Sequence, residues 1–428
     1  MSSPEEYFAR IAAERPRCFW LDGGGAREWS GRRSIIGHLD PGDVSLTFHA
    51  ATREVRRHVD GRTTVVGDDI FEVLGRELAD GPNDAQWFGY FGYASRTDLP
   101  ARPDPRMPDA VWMRPSVVRS FTHPATPESA RTPTPGDQAP GDQAPGEQAP
   151  EESAPVPPEY AAAFAQVQEE LHAGNSYEVN LTHRVATGFG LDPVTVYGRL
   201  RTLNPAPYAG FLQHDVEGAR AWLLSSSPER YALVTADRTL ETKPIKGTTP
   251  RGATPEADAE SRALLASDSK FRAENLMIVD LLRNDLSMVC EPGSVEVPAL
   301  TQVESYASVH QLVSTVRGRL RRGVSTLEAL RVLFPAGSMT GAPKLRTMQI
   351  TEVVEATPRG AYAGAFGWFS ADGRADLGVV IRSLMTAGDG EWVLGTGGGI
   401  TVRSEVGEEW AEAQWKAERL RRALLDPS

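Results

Sequence analysis

The chain has 428 residues, 40% of them hydrophobic and 24% charged, enough to bury the core of one large or two medium domains. A formal net charge of -12 opposes nucleic acid as a partner, and no apolar run reaches the roughly 18 residues that cross a bilayer, so neither nucleic acid nor membrane is expected. Two cysteines, Cys18 and Cys290, exclude a disulfide framework and a four-thiolate zinc site, and with the acidic start Met1-Ser-Ser-Pro-Glu-Glu they lead to the expectation of a cytoplasmic protein.

In chain order, short apolar stretches such as Val65-Val66 and the aromatic run Trp87 to Tyr93 alternate with turn residues, so residues 1–123 read as a mainly β subdomain. Residues 124–156 repeat Gly136-Asp-Gln-Ala-Pro at Gly141 and, with Glu, at Gly146; such a Pro/Ala/Gly-rich segment has nothing to bury and reads as a disordered linker. Residues 157–428 mix helices and strands and read as the catalytic domain. A helix over 161–173 ends at Gly174, and Asn204-Pro-Ala-Pro breaks into a new strand region. Ser267 to Met288 predicts one long helix with Leu276, Val279 and Leu282 on its apolar flank and Asp285 among its polar positions. Strands follow at 361–369 and 376–386, and Glu408 to Leu425 predicts a closing helix. The order is α+β rather than a repeating βαβ array, and no glycine fingerprint for a nucleotide occurs in a strand-turn-helix context.

Several side chains are candidates for chemistry. Lys246, in Thr242-Lys-Pro-Ile-Lys-Gly-Thr-Thr249, follows a strand carrying Val234 and Leu240. On a solvated loop it is a surface charge; if desolvated, its pKa falls and the free amine becomes a nucleophile. Glu274 lies on the long helix, and Glu409 and Glu412, three apart, share a face of the last one. These carboxylates suit either a solvated acidic surface or a magnesium clamp that leaves room for substrate oxygens. Gly395-Thr-Gly-Gly-Gly399 is either a tight turn or a backbone cradle for an anion. Arg382, a charge read as lying inside an apolar strand, needs an acidic partner or an anionic ligand. Glu229, in Ser225-Ser-Ser-Pro-Glu-Arg230, is placed for a general acid or a cap.

Taken together, Tyr177-Glu-Val-Asn-Leu-Thr182, Ser227-Pro-Glu-Arg230, Pro244-Ile-Lys-Gly-Thr248, the run from Ala273 to Asp285, Gly337-Ser-Met-Thr-Gly-Ala-Pro-Lys344, Arg382 and the glycine run closely resemble the chorismate-utilising enzymes. That family contains anthranilate synthase component I, aminodeoxychorismate synthase component I, isochorismate synthase and salicylate synthase. The resemblance spans most of 157–428 and, through Trp87 to Tyr93, part of the first half. It implies large β-sheets packed together with helices outside. It further implies that Glu274 and Glu412, with Glu409 nearby, bind Mg2+, and that Gly247, Thr248, Tyr362, Arg382 and Gly397, Gly398 and Gly399 hold the chorismate carboxylates.

Lys246 resembles the aminodeoxychorismate branch, where anthranilate synthases carry alanine. The resemblance then implies that Lys246 adds at ring C2, that the C4 hydroxyl leaves with a proton from Glu229, and that ammonia enters at C4 as Lys246 departs. Three positions depart from the family pattern. Gln311 stands where anthranilate synthases usually have histidine, with His310 one place earlier. Phe271 stands where relatives often carry another carboxylate. Leu21-Asp-Gly23 replaces the Leu-x-Ser of the relatives' tryptophan pocket. Neither cysteine lies in the Gly-x-Cys-x-Gly elbow of a glutaminase, so a glutamine amidotransferase partner is expected to supply ammonia. Anthranilate synthase, isochorismate synthase and a non-catalytic relative are the alternatives.

Overall fold

The structure, a computed structural model, describes residues 3–23, 32–123, 155–306 and 309–425. Among them the chain forms two antiparallel sheets, one of nine strands and one of twelve. In the nine-stranded sheet the order is Gly341–Ala342, Glu178–Gly188, Glu391–Ile400, Ser383–Thr386, Ala221–Ser227, Tyr208–His214, Arg17–Asp22, Arg33–His38 and Val117–Thr122. The twelve-stranded sheet runs from Ile245–Pro250 through Val309–Arg319, Thr239–Lys243, Arg230–Val234, Ala375–Val379 and Ala365–Ser370 to Gln86–Phe91 and the remaining N-terminal strands, with Glu296–Ser305 added beside Val309–Arg319.

Strand alternation decides how the sheets meet. On the nine-stranded sheet Phe19, Leu212, Leu223, Met385 and Val393 point into one large core shared with Leu46, Phe88, Tyr90, Trp112, Phe366 and Leu377 of the other sheet. Phe19 stacks on Phe88 with ring centroids 4.1 Å apart across that interface. The alternate residues Cys18, Trp20, Phe211, Leu224, Leu384 and Leu394 face the other way, onto helices Pro4–Glu14, Pro193–Leu203 and Val406–Leu424. Both faces are therefore buried, which is why Ala221–Ser227 shows no exposed position. The first helix is fixed at its start by a capping box between Ser3 and Glu6.

Both long stretches of the sequence contribute to each sheet: Arg17–Asp22 pairs with Tyr208–His214, and Gln86–Phe91 pairs with Ala365–Ser370. The linker placed at 124–156 falls, apart from its last two residues, outside the described residues.

A helix Pro255–Ser267 stands ahead of the expected one, which is found as Ser269–Ser287 and begins at Asp268, whose carboxylate accepts from the amides of Lys270 and Phe271. Within the second, Leu276 is 50% exposed whereas Asp285 is buried and bound by Lys344 at 2.7 Å; Val279 and Leu282 do face the core. Two strand assignments change. The expected strand over 376–386 is broken, because Ala375–Val379 belongs to one sheet and Ser383–Thr386 to the other. Likewise 361–364 form turns ahead of the strand Ala365–Ser370.

Candidate active site

Two crossings between the sheets build the site. Pro228 and Glu229 link Ala221–Ser227 to Arg230–Val234, and Val380 to Arg382 link Ala375–Val379 back to Ser383–Thr386. Arg382 thus sits at a bend with φ 50°, not inside a strand, and its guanidinium lies 5.4 Å from the Trp415 ring. Beside these crossings is a cavity of about 400 Å³. Its lining brings together Lys246, Glu229, Gly247, Thr248, Tyr362, Arg382, Gly397, Gly398, Gly399, Glu274, Glu409 and Glu412, every candidate residue taken from the sequence.

Lys246 reaches the cavity through a bulge. Ile245 pairs with Val313 and Thr248 with Gln311, so the register shifts across Lys246 and Gly247. Gly247 has φ +87°, and a Cβ there would come within 2.9 Å of Leu265 and Phe271. A side chain at 247 would meet both strain and a clash, which explains the glycine.

The Lys246 side chain is only 11% exposed and donates a hydrogen bond to Glu178, whose side chain is 1% exposed. Burial works against its charge, but Glu178, then Glu274 and Glu229, outweigh that and hold the ammonium above its ordinary range. The expectation that desolvation leaves a free amine is therefore corrected: in this arrangement Lys246 is a cation held by carboxylates.

Glu229 shows the opposite response. Burial pushes its carboxyl up to about 7, against the opposing effects of the Ser338 hydrogen bond and of Lys246. Ser338 Oγ donates to Glu229 Oε1 at 2.5 Å. A cap is thus the wrong reading of Glu229, which is buried and keeps much of its proton at neutral pH.

Gly395 to Gly399 do not form a turn; they lie within the continuous strand Glu391–Ile400, paired along Glu178–Gly188, and line the cavity. Their missing side chains make room. A Cβ on Gly395 would meet the Tyr362 ring, one on Gly398 would lie 3.0 Å from Glu409 Oε2, and one on Gly399 would run into the Glu178 carboxylate, 3.1 Å from Lys246 Nζ. The last helix is tied to this strand by Thr396 Oγ1, which donates to Ala413 O at 2.7 Å.

Glu409 is buried, and a solvated acidic face is excluded for it; Glu412 lies at the rim with its side chain 49% exposed. Lys270 is 3.4 Å from Glu409 and Lys416 is 2.7 Å from Glu412. Burial pushes Glu274 up to about 7 and raises Glu409, whereas Lys416 lowers Glu412. In this arrangement no three His, Cys, Asp or Glu side chains among the described residues stand close enough to hold a metal ion. The donor set is nonetheless all oxygen, the kind magnesium takes, and burial disfavours the charged forms of Glu274 and Glu409, which a cation would stabilise.

Of the departures from the family pattern, Gln311 lines the cavity while His310 faces away, between Ser305 and Asp258 Oδ1 at 3.0 Å. Phe271 lines the cavity too, and Asp22 is buried and bound by Arg201 at 2.6 Å. Sequence reasoning gave no role to Glu178, Lys270, Lys416 or Ser338. Glu178 carried a usable signal in its place within the run Tyr177 to Thr182; Lys270 and Lys416 look like ordinary helix-surface charges four residues from Glu274 and Glu412.

A buried lysine set among carboxylates, with an arginine and a side-chain-free strand around one cavity, marks this cavity as the candidate active site. The chain belongs to the chorismate binding enzyme family, which it matches over residues 17–422. It is 38% identical to an aminodeoxychorismate synthase of Streptomyces pristinaespiralis over 97% of its own length and 63% of that protein. With aminodeoxychorismate synthase component 1 of Klebsiella aerogenes it shares 44% identity over 61% of this chain and 57% of that one, so it spans under two thirds of either relative. Among solved structures, anthranilate synthase component I from Streptococcus pneumoniae matches with a TM-score of 0.71 at 25% identity, covering 92% of both chains. MenF, the menaquinone-specific isochorismate synthase of Escherichia coli, matches with a TM-score of 0.69 at 18% identity over 99% of this chain and 92% of that one, and shares the fold.

Proposed function

We propose that this chain replaces the C4 hydroxyl of chorismate by ammonia, giving 4-amino-4-deoxychorismate, with Lys246 as covalent nucleophile and Glu229 as general acid. The observation that carries the reading is the pairing, in one cavity, of a buried lysine with a buried carboxyl near 7. Two groups with opposed proton demands suit a displacement in which one end of the ring gains a bond while the other releases water. The names of the relatives support amination over isochorismate formation. Lys246 itself speaks against the anthranilate reaction, whose enzymes carry alanine there.

Lys246 attacks ring C2 while Glu229 protonates the departing C4 oxygen; ammonia then adds at C4 and the C2–nitrogen bond breaks, releasing Lys246. Gly247, Thr248, Tyr362, Arg382 and the glycines Gly397 to Gly399 hold the carboxylates of the substrate. Glu274, Glu409 and Glu412 would hold magnesium once Lys270 and Lys416 yield their oxygens; when bound, the ion supplies an anchor for the ring carboxylate and offsets developing negative charge. The ammonia comes from a glutamine amidotransferase. Both cysteines are buried, and burial pushes the Cys290 thiol up to about 11 and Cys18 higher, which leaves neither suited to a glutaminase thiolate.

The test is incubation of the purified chain with chorismate, magnesium and ammonium, coupled to aminodeoxychorismate lyase. Lyase-dependent p-aminobenzoate is the expected product. Anthranilate, isochorismate or unchanged chorismate would overturn the assignment.

A further inference from the structure

A nucleophilic Lys246, on which this inference rests, must shed a proton, because an ammonium has no lone pair to attack with. In this cavity it is held as a cation, so some group has to take that proton. The carboxylates that face it come from separate elements: Glu178 from the strand Glu178–Gly188, Glu229 from the sheet crossing and Glu274 from the helix Ser269–Ser287. Lys270, Lys416, Glu409 and Glu412 stand further along the same cavity lining. Glu229 has the opposite task and is already bonded to Ser338. Among the described residues, Glu178 is the carboxylate hydrogen-bonded to Lys246 Nζ.

Its setting suits a proton acceptor better than a permanent anchor. Glu178 is fully buried; one oxygen receives the lysine, while Oε2 is buried with no hydrogen-bond partner. The proton to be lost already lies on a hydrogen bond from Lys246 Nζ to Glu178, the geometry that direct transfer requires. Gly399 across the strand pair leaves the space in which the carboxylate and Nζ meet.

We propose that Glu178 is the base that takes the ammonium proton of Lys246, a catalytic residue in direct contact with the attacking nitrogen. An Nζ–H bond breaks as an O–H bond forms on Glu178, and the freed lone pair makes the nitrogen–C2 bond while the C4–O bond breaks and its oxygen leaves as water with the proton from Glu229. When ammonia has added at C4 and the C2–nitrogen bond has broken, Lys246 leaves as the amine and recovers its proton from Glu178. The ammonium formed at C4 returns one proton to Glu229, so that chorismate and ammonia give the amine and water and both carboxyl groups are restored.

The alternative role, a salt bridge that only holds Lys246 charged, makes the opposite forecast. Removing such a carboxylate would free the amine and speed the attack. The experiment compares wild type, Glu178→Gln, Glu178→Asp and Lys246→Ala of the full chain, with chorismate, magnesium and ammonium, by amination rate between pH 6 and 10. Quenched intact mass without ammonium is read alongside for the chorismate adduct on Lys246. For Glu178→Gln a loss of about 10²–10⁴-fold near pH 7, shrinking as hydroxide takes over at high pH, is expected. Glu178→Asp should retain more of the rate than Glu178→Gln. A Glu178→Gln rate equal to or above wild type, or equal losses in both variants at every pH, would overturn the proposal. Normal turnover by Lys246→Ala would instead remove the covalent reading itself, whatever the Glu178 variants do.

Discussion

Desolvation penalises the charged form of both Glu229 and Lys246; at Lys246 the facing carboxylates outweigh it, whereas at Glu229 the Ser338 hydrogen bond and the lysines do not. The acid limb of the proposed reaction follows from that. A general acid works while protonated, so with its carboxyl near 7 Glu229 is mostly competent at pH 6 and about a tenth so at pH 8. The kcat/KM for chorismate should therefore fall as pH rises through about 7, and Glu229→Gln should lower it about 10²–10⁴-fold while removing that limb. A pH series of initial rates on both proteins checks this, and an unchanged limb in the variant assigns it to another group. At the metal candidates, Glu274→Gln should raise the magnesium concentration for half-maximal activity at least tenfold. A magnesium titration identical to wild type would remove Glu274 from the ligand set.

At the scale of elements, what the sequence hid was mainly direction. Glu229, Lys246 and Glu274 were legible as candidates through the motifs they stand in, Glu178 was not, and nothing in the spacing shows that the four converge from two sheets and a helix. The glycine run was legible as special but its conformation was not: glycine in a strand interior normally weakens it, so a turn stood beside a backbone cradle as an equal reading. The structure keeps the strand and uses the absent side chains as space. Arg382 was misread for a related reason, since apolar residues on both sides disguised the point where the chain changes sheets.

These glycines give an element-scale expectation. Gly399→Ala places a methyl into the Glu178 carboxylate, forcing apart the pair that holds Lys246. Overpacking of this kind costs about 1–3 kcal/mol. Amination should fall about 100-fold or more, because a 1 Å displacement at a reacting group has that effect. Gly190→Ala, which meets nothing within 4 Å, serves as the control and should leave both stability and rate near wild type. Denaturant unfolding and the coupled assay on the two variants separate these cases.

Over the whole molecule, both sheets draw strands from either side of the 124–156 segment, and one buried cation shows how tightly the parts depend on each other. Arg359, 2% exposed at its side chain, forms a two-pronged ion pair with Glu355 at 2.6 and 2.9 Å. It also donates to Met339 O at 2.6 Å and Asn180 O at 2.8 Å, both from residues that line the cavity. Glu355 in turn accepts from the amide and hydroxyl of Thr182, while the Arg359 guanidinium lies 4.4 Å from the Tyr93 ring, contributed by the first stretch of the chain. Breaking a buried pair by removing one partner costs about 3–5 kcal/mol, since the survivor is left charged and unpaired. Arg359→Ala should therefore lower the unfolding free energy by that amount. Arg359→Lys should recover only part of it, because an ammonium cannot reproduce the fork to Glu355 while reaching two carbonyls. Since Asn180 and Met339 would lose their tether, the KM for chorismate should rise in Arg359→Lys more than its kcat falls. Unfolding at normal cost with an unaltered KM would show instead that the cavity wall stands without this pair.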